Sequence, residues 1–277
     1  MSKWTNKPLP GTPLIPGHRQ LEDLIGWWLF QEGAGGIAND LSGNNNPGRL
    51  YGFTIPASAT SGWGPGKFSK TLTYDNVGDY ISIGDLDIFN FGQTDGFTVM
   101  AWVRSTQPSL GVRPILSKYT NASTPGWYLM ESYDAGQPQL TFTTILPVSE
   151  VRRNYEYRDH VWYHVAAVKD TSTDTVKMYV NGNLLGSNPD INVGGHANAS
   201  PLVIGKLLSY YYQGQIDDVR VYNRPLIQPE IQNTMDKPFD AFELFDIALL
   251  APIVVGVAGT LVNSRTRLKS LVGGGLV

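Results

Sequence analysis

The chain has 277 residues, 42% hydrophobic and 16% charged, with seven Trp, fourteen Tyr and ten Phe. That is enough apolar area for one large core, and it excludes wholesale disorder. A formal net charge of -3 with scattered basic residues argues against a nucleic-acid binder, and a cysteine count of zero excludes disulfides, thiolate nucleophiles and Cys-ligated metal sites.

Residues 1–23 are interrupted by Pro8, Pro10, Pro13 and Pro16 and read as an extended arm, without the apolar core of an export signal. After them, short apolar runs alternate with Gly, Asn and Pro: LIGWWLF (24–30), DYISIG (79–84), GFTVMAWVR (96–104), PILSKY (114–119), GWYLMES (126–132) and QLTFTTI (139–145). HVWYHVAAVKD (160–170), TVKMYVNGNLLG (175–186), PLVIG (201–205) and GQIDDVRVYN (214–223) continue the series. Such spacing predicts a many-stranded antiparallel sandwich. In FTVMAWV, Phe97, Val99 and Val103 point one way while Met100 and Trp102 point the other, so this strand is expected to be buried on both faces. Asn181-Gly182, between two strand-like runs, predicts a tight hairpin turn. A short helix is expected over 229–235, opened by Pro229 and Glu230. The sandwich is expected to span 24–235. A separate element then follows over 236–277, uncharged from Ile247 to Val262 and basic at Arg265, Arg267 and Lys269.

Four motifs in order resemble the laminin G-like jelly rolls, the concanavalin A-like lectin/glucanase family. GWWLFQEGAGGIANDLSGNNNPGRLYG (26–52) resembles its opening strand and loop, and FTVMAWVRSTQ (97–107) its A-W-V strand. VWYHVAAVKDTSTDTVKMYVNGNLLGS (161–187) resembles its W-x-H-V-A hairpin, and GQIDDVRVYNRPLIQPEI (214–231) its closing strand. The resemblance implies an all-β, antiparallel two-sheet jelly-roll sandwich. It does not supply a function, because this scaffold hosts glycan binders, glycosidases, adhesion modules and virion parts.

Glycoside hydrolysis needs two carboxylates placed across the scissile bond. The E-x-D-x-x-E strand motif of the family's glucanases does not occur here, and Glu131 with Asp134 reads as a pair of ordinary solvent-facing side chains. His160 and His164 are four apart on a strand, about 13 Å from one another, too far to share a metal ion. No enzyme is expected. Calcium is the expected cofactor, in a structural role. Asp40 opens an oxygen-rich loop, D-L-S-G-N-N-N, and the resemblance places a calcium-binding Asp at Asp217, with Asp218 as neighbour and alternate. The alternative is that Asp40 caps a turn and Asp217 pairs with a basic side chain. For glycans, Trp63 and the run Tyr210, Tyr211 and Tyr212 are the candidate stacking residues.

The sixteen uncharged residues 247–262 fall short of the roughly twenty that span a bilayer, and they contain Pro252, Gly256 and Gly259. They suit an apolar extension buried by a partner, with Ile247, Leu250, Val254, Val255 and Leu261 as the assembly residues. KPLPGTPL (7–14) and the whole layout are similar to phage reading frames with one jelly roll and an apolar tail. The first expected function is therefore a non-catalytic virion protein, a capsid decoration or a minor head or tail component. It would be attached through its terminal arms to viral shell subunits or copies of itself. The alternative is a carbohydrate-binding or adhesion module for cell-surface glycans, membrane-anchored by its tail.

Overall fold

The computed structural model describes residues 6–243, apart from 107–110, 135, 146, 157 and 192–194. The chain divides into a unit ending at Glu243 and a second over 244–277. The expected assembly residues Ile247, Leu250, Val254, Val255 and Leu261 lie outside the described residues.

In chain order the strands begin with β1 (Leu24–Trp28), β2 (Ile37–Ala38), β3 (Gly48–Tyr51), β4 (Gly62–Gly66), β5 (Ser69–Asp75) and β6 (Tyr80–Gly84). Then come β7 (Phe97–Ser105), β8 (Val112–Lys118), β9 (Gly126–Asp134), β10 (Gln137–Ile145), β11 (Ser149–Asn154) and β12 (Tyr163–Asp170). The last six are β13 (Thr175–Val180), β14 (Asn183–Pro189), β15 (Leu202–Ile204), β16 (Lys206–Leu207), β17 (Tyr210–Tyr211) and β18 (Gln213–Tyr222), followed by the helix α1 (Gln228–Asp236).

The strands form two eight-stranded sheets and a small hairpin. The first sheet runs β14-β13-β12-β7-β18-β5-β4, with β1 also paired to β18, and the second β11-β10-β9-β8-β15-β6-β3-β2. All pairings are antiparallel, and β16 pairs with β17 alone. The jelly-roll sandwich expected from the sequence is present.

The main core lies between the sheets, because it draws Phe97, Val99 and Val103 from the first and Leu129, Leu140 and Phe142 from the second. The Phe97 ring stacks on Phe91 at 4.2 Å and meets Trp127 at 5.3 Å, contacts worth about 0.5–1.5 kcal/mol each beyond their buried area. Met100 and Trp102 turn the other way into a second core, with Trp27, Ala166, Val168, Phe239 and Phe242. As the alternation of FTVMAWV predicts, β7 is apolar on both faces. Asn181 (φ 49°) and Gly182 (φ 74°) make the turn between β13 and β14, where Val180 faces Asn183, so that hairpin also forms as expected.

The second core draws on both terminal segments. Its strands all belong to the first sheet, and most of its other members, Leu14, Leu21, Leu226, Ile231, Met235, Phe239 and Phe242, lie before β1 or after β18, so the terminal segments cover that sheet's outer face. Leu14 bridges to Phe242, the Ile15 N–H donates to the Ala241 carbonyl, and the Glu243 N–H donates to the Pro13 carbonyl. The described part of the proline-rich segment and residues 237–243 are therefore built into the folded unit. Prolines hold this segment extended, and its apolar residues find a sheet face already apolar. Among the described residues, no helix is long and apolar enough to cross a membrane.

Candidate functional site

An open groove of about 420 Å³ lies on the second sheet, lined by Tyr51, Tyr80, Tyr119, Lys206 and Leu208 among others. Its volume falls in the range of small-ligand sites, roughly 300–1,000 Å³. Strand alternation builds its floor. Leu50, Ile81 and Ile83 enter the main core, so Tyr51 and Tyr80, cross-strand partners in register, face outward. Their rings stack at 5.0 Å with 11° between planes.

The hairpin β16–β17 makes the wall. Gly205 (φ 83°) turns the chain out of β15, and a Cβ there would lie 2.5 Å from the Tyr74 ring, so no larger residue fits. The Ser117 hydroxyl donates to the Lys206 carbonyl at 2.7 Å and pins the hairpin. Lys206 then projects its ammonium 4.2 Å from the centre of the Tyr80 ring and 5.5 Å from that of Tyr211. Arg49 stands 5.6 Å from Tyr51 at the other end. The result is a ladder of two cations and three rings, with Tyr51 and Tyr80 stacked directly on one another, that fixes each ring's orientation. At the hairpin tip Leu208 is 50% exposed and holds a left-handed φ of 56°. This is the backbone of a tight turn between β16 and β17. Ser82, Thr120 and Ser200 add hydroxyls along the groove.

The glycan residues expected from the sequence separate into three environments. Tyr210 is 48% exposed on the hairpin and Tyr211 joins the ladder. Tyr212, by contrast, is fully buried. It cannot stack on a sugar, because its ring packs against Tyr74 and its hydroxyl lies 2.7 Å from Ser105 and 3.3 Å from Glu131. Trp63 is half-buried on β4 in the other sheet, its indole N–H donating to the Gly35 carbonyl at 2.8 Å. Alternation could have separated Tyr211 from Tyr212. Tyr51, Tyr80 and Lys206 were not singled out by the sequence, because their proximity depends on which strands pair.

Glu131 corrects the expectation that it faces solvent. It is 4% exposed and accepts hydrogen bonds from the hydroxyls of Ser105, Tyr155 (2.5 Å) and Tyr212. Burial raises its carboxyl above the usual range, against the pull of these donors and of Arg113. His164 is buried at 5.3 Å from Trp102, while His160 sits outside β12 in a turn with φ 61°.

The three carboxylates considered for calcium do not converge. Among the described residues, no group of three or more His, Asp or Glu could hold a metal ion. Asp40 is engaged by its own loop and strand: it accepts from the Trp27, Ser42 and Asn46 N–H groups and from the Ser42 hydroxyl, at 2.8–2.9 Å. Asp218 accepts from the Trp27 indole at 2.7 Å and from Arg220 at 3.0 and 3.1 Å. Asp217 is fully buried and meets the Lys7 ammonium at 2.5 Å. Burial pushes its carboxyl up to about 6, with Lys7 opposing. A calcium ion needs six to eight oxygens, and Asp217 already faces a cation of its own chain, so these residues as arranged do not fit one.

Two sheets in this order, closed by the I-D-D-V-R-V-Y strand, define the class. The sequence profile of the concanavalin A-like lectin/glucanases superfamily matches residues 75–232, more than half of the chain, and the chain belongs to that family. Its fold is shared by domain 4 of AbnA, a GH43 extracellular arabinanase from Geobacillus stearothermophilus solved with arabinotriose, at TM-score 0.59 and 20% identity over 76% of this chain and 97% of that one. It is shared too by the binding domain of Paraclostridial Mosquitocidal Protein 1, at TM-score 0.60 and 18% identity over 77% and 52%. The botulinum neurotoxin serotype D ligand binding domain, solved with N-acetylneuraminic acid, matches at TM-score 0.58 and 15% identity over 78% and 51%. The chain thus spans about half the length of these two toxin structures. No curated protein matches it.

Proposed function

We propose that this chain is a non-catalytic binding module whose tyrosine–lysine groove takes an oligosaccharide. The observation that carries the reading is the ladder of Tyr51, Tyr80, Lys206 and Tyr211, set beside hydroxyls in an open groove. The Tyr51 and Tyr80 faces are taken by one another and by the neighbouring cations, so these rings meet a sugar through their edges and phenol hydroxyls, while the ammonium and the Ser and Thr hydroxyls satisfy sugar oxygens; Lys206 also favours an acidic sugar. The arabinotriose and N-acetylneuraminic acid complexes of similarly folded domains support this class of ligand.

The test is a glycan array followed by titration calorimetry on the best ligand, with wild type, Tyr80→Ala and Lys206→Ala. Tyr80→Ala should weaken binding by about five- to thirtyfold, since losing the ring that seats Tyr51 and Lys206 costs roughly 1–2 kcal/mol of binding, and the bound oligosaccharide should be recovered uncleaved. An array without signal, or variants that bind as wild type does, would refute the reading.

We further read the tail as the means of attachment to a larger assembly, such as a viral shell. The supporting feature is the apolar run 247–262 beyond the point where Glu243 is fastened to Pro13. Deleting 244–277 should leave a folded sandwich with unchanged sugar binding that no longer enters particles.

A further inference from the structure

Lys118 is the last residue of β8, and its side chain is fully buried. Its ammonium has three N–H donors and three oxygens to meet them: Asp85 Oδ1 at 2.8 Å, the Asn198 carbonyl at 3.0 Å and the Ser200 carbonyl at 2.6 Å. A buried charge persists only where such partners satisfy it, and two of the three here belong to the segment that leads into β15. That segment reaches back. The Asn198 side-chain amide donates to the Lys118 carbonyl at 3.1 Å and to the Pro125 carbonyl at 2.8 Å, and its Oδ1 accepts the Ser200 N–H at 2.7 Å. The Asn198 N–H donates to Asn90 Oδ1 at 3.2 Å. Gly126, which opens β9, leaves room for this interlock: a Cβ there would lie 2.6 Å from the Lys118 carbonyl and 3.1 Å from the Asn198 amide nitrogen.

The segment so held carries one wall of the tyrosine–lysine groove, where Ser200 and Pro201 join Thr120 in the lining. The Ser200 and Thr120 hydroxyls are hydrogen-bonded to one another. Such a pair uses one hydrogen internally and keeps one O–H donor and several lone pairs for a ligand, each polarised by the bond between them. We propose that Lys118 and Asn198 are the positioning residues of this groove, and that the Thr120–Ser200 hydroxyl pair they seat is its contact for a sugar diol; this rests on the oligosaccharide reading. Two adjacent sugar hydroxyls likewise offer donors beside acceptors, so the two pairs complement each other. Lys118 does not meet the sugar and acts through the Ser200 carbonyl. Misplacing the segment weakens binding, because a hydrogen bond fades steeply once its distance and angle leave a narrow range.

The experiment combines hydrogen exchange read by mass spectrometry with calorimetric titration of the oligosaccharide that gives the strongest array signal, on full-length wild type, Lys118→Met, Asn198→Ala and Thr120→Val. In Lys118→Met and Asn198→Ala, the amides of residues 195–200 should exchange about tenfold faster or more, those of β7, β10 and β12 should exchange as in wild type, and sugar affinity should fall about tenfold. Thr120→Val keeps the shape and removes one hydroxyl, so affinity should fall about three- to tenfold with exchange at 195–200 unchanged. That split separates a residue that positions from one that touches. Unchanged exchange at 195–200 in both positioning variants, faster exchange there with undiminished affinity, or undiminished affinity in Thr120→Val would each overturn the proposal. Should Lys118→Met fail to fold, Asn198→Ala carries the same decision. If wild type binds no oligosaccharide on the array, the groove reading itself falls, and exchange at 195–200, which needs no sugar, decides whether Lys118 and Asn198 hold the segment.

Discussion

The outer faces of the two sheets, built from strands of similar length, meet opposite fates. On the first sheet, the outward residues Trp27, Met100, Trp102, Ala166 and Val168 are apolar and covered by Phe239, Phe242 and the terminal segments. On the second, Tyr51 is 40% exposed beside Tyr80, Ser82 and Lys206. A covered face penalises an isolated charge, so its charges come as buried pairs, Lys7 with Asp217 and Arg220 with Asp218. An open face keeps amphipathic side chains that water and a ligand can both serve. Consequently, substitutions on the covered face should alter stability, and substitutions on the open face should alter binding.

Trp27→Ala should separate the faces most sharply. It removes the indole that donates to Asp218, stands 4.2 Å from the Arg220 guanidinium and packs on Phe242 at 5.2 Å. A loss of about 3–5 kcal/mol in denaturant unfolding is expected, and a loss under 1 kcal/mol would mean that the terminal cover contributes little.

Next comes the acid response of His164, also on the covered side. Burial lowers its pKa to about 4, against the attraction of Asp218 and together with the charge of Arg220. The unfolded imidazole takes its proton near 6.5, the folded one only near 4. The stability its neutral form contributes is therefore complete above about pH 6.5 and is lost progressively as the pH falls toward 4. The advantage of wild type over His164→Gln in unfolding free energy should shrink by roughly 3 kcal/mol across that window. A pH-independent gap would show that the imidazole is not held neutral.

Tyr212→Phe tests the adjacent tyrosines at smaller magnitude. Losing the hydroxyl between Ser105 and Glu131 should cost about 1–2 kcal/mol of stability and leave sugar affinity unchanged, the reverse of Tyr80→Ala. Smallest of all, Tyr51→Ala should shift stability by no more than roughly 0.5 kcal/mol while weakening oligosaccharide binding. Unfolding by Tyr51→Ala would place the open face within the core.

Sequence periodicity alone determined much of this protein. The alternation of FTVMAWV gives a strand buried on both faces, Asn181-Gly182 gives its hairpin because only such residues accept two positive φ angles cheaply, and four ordered motifs give the family. It did not reveal β4, whose residues Gly62–Gly66 are mostly glycine and proline, because such a strand depends on its pairing with β5. Nor did it reveal the burial of Glu131, because a carboxylate is polar wherever it stands and only the hydroxyls of Ser105, Tyr155 and Tyr212 show it to be interior. The second core depended on Leu14 and Phe242, 228 residues apart in the chain, meeting over the first sheet. The tyrosine–lysine groove and the seating of Lys7 on Asp217 were likewise decided only by tertiary structure. Local pattern fixes which way a side chain points, but strand pairing and terminal docking fix what it meets.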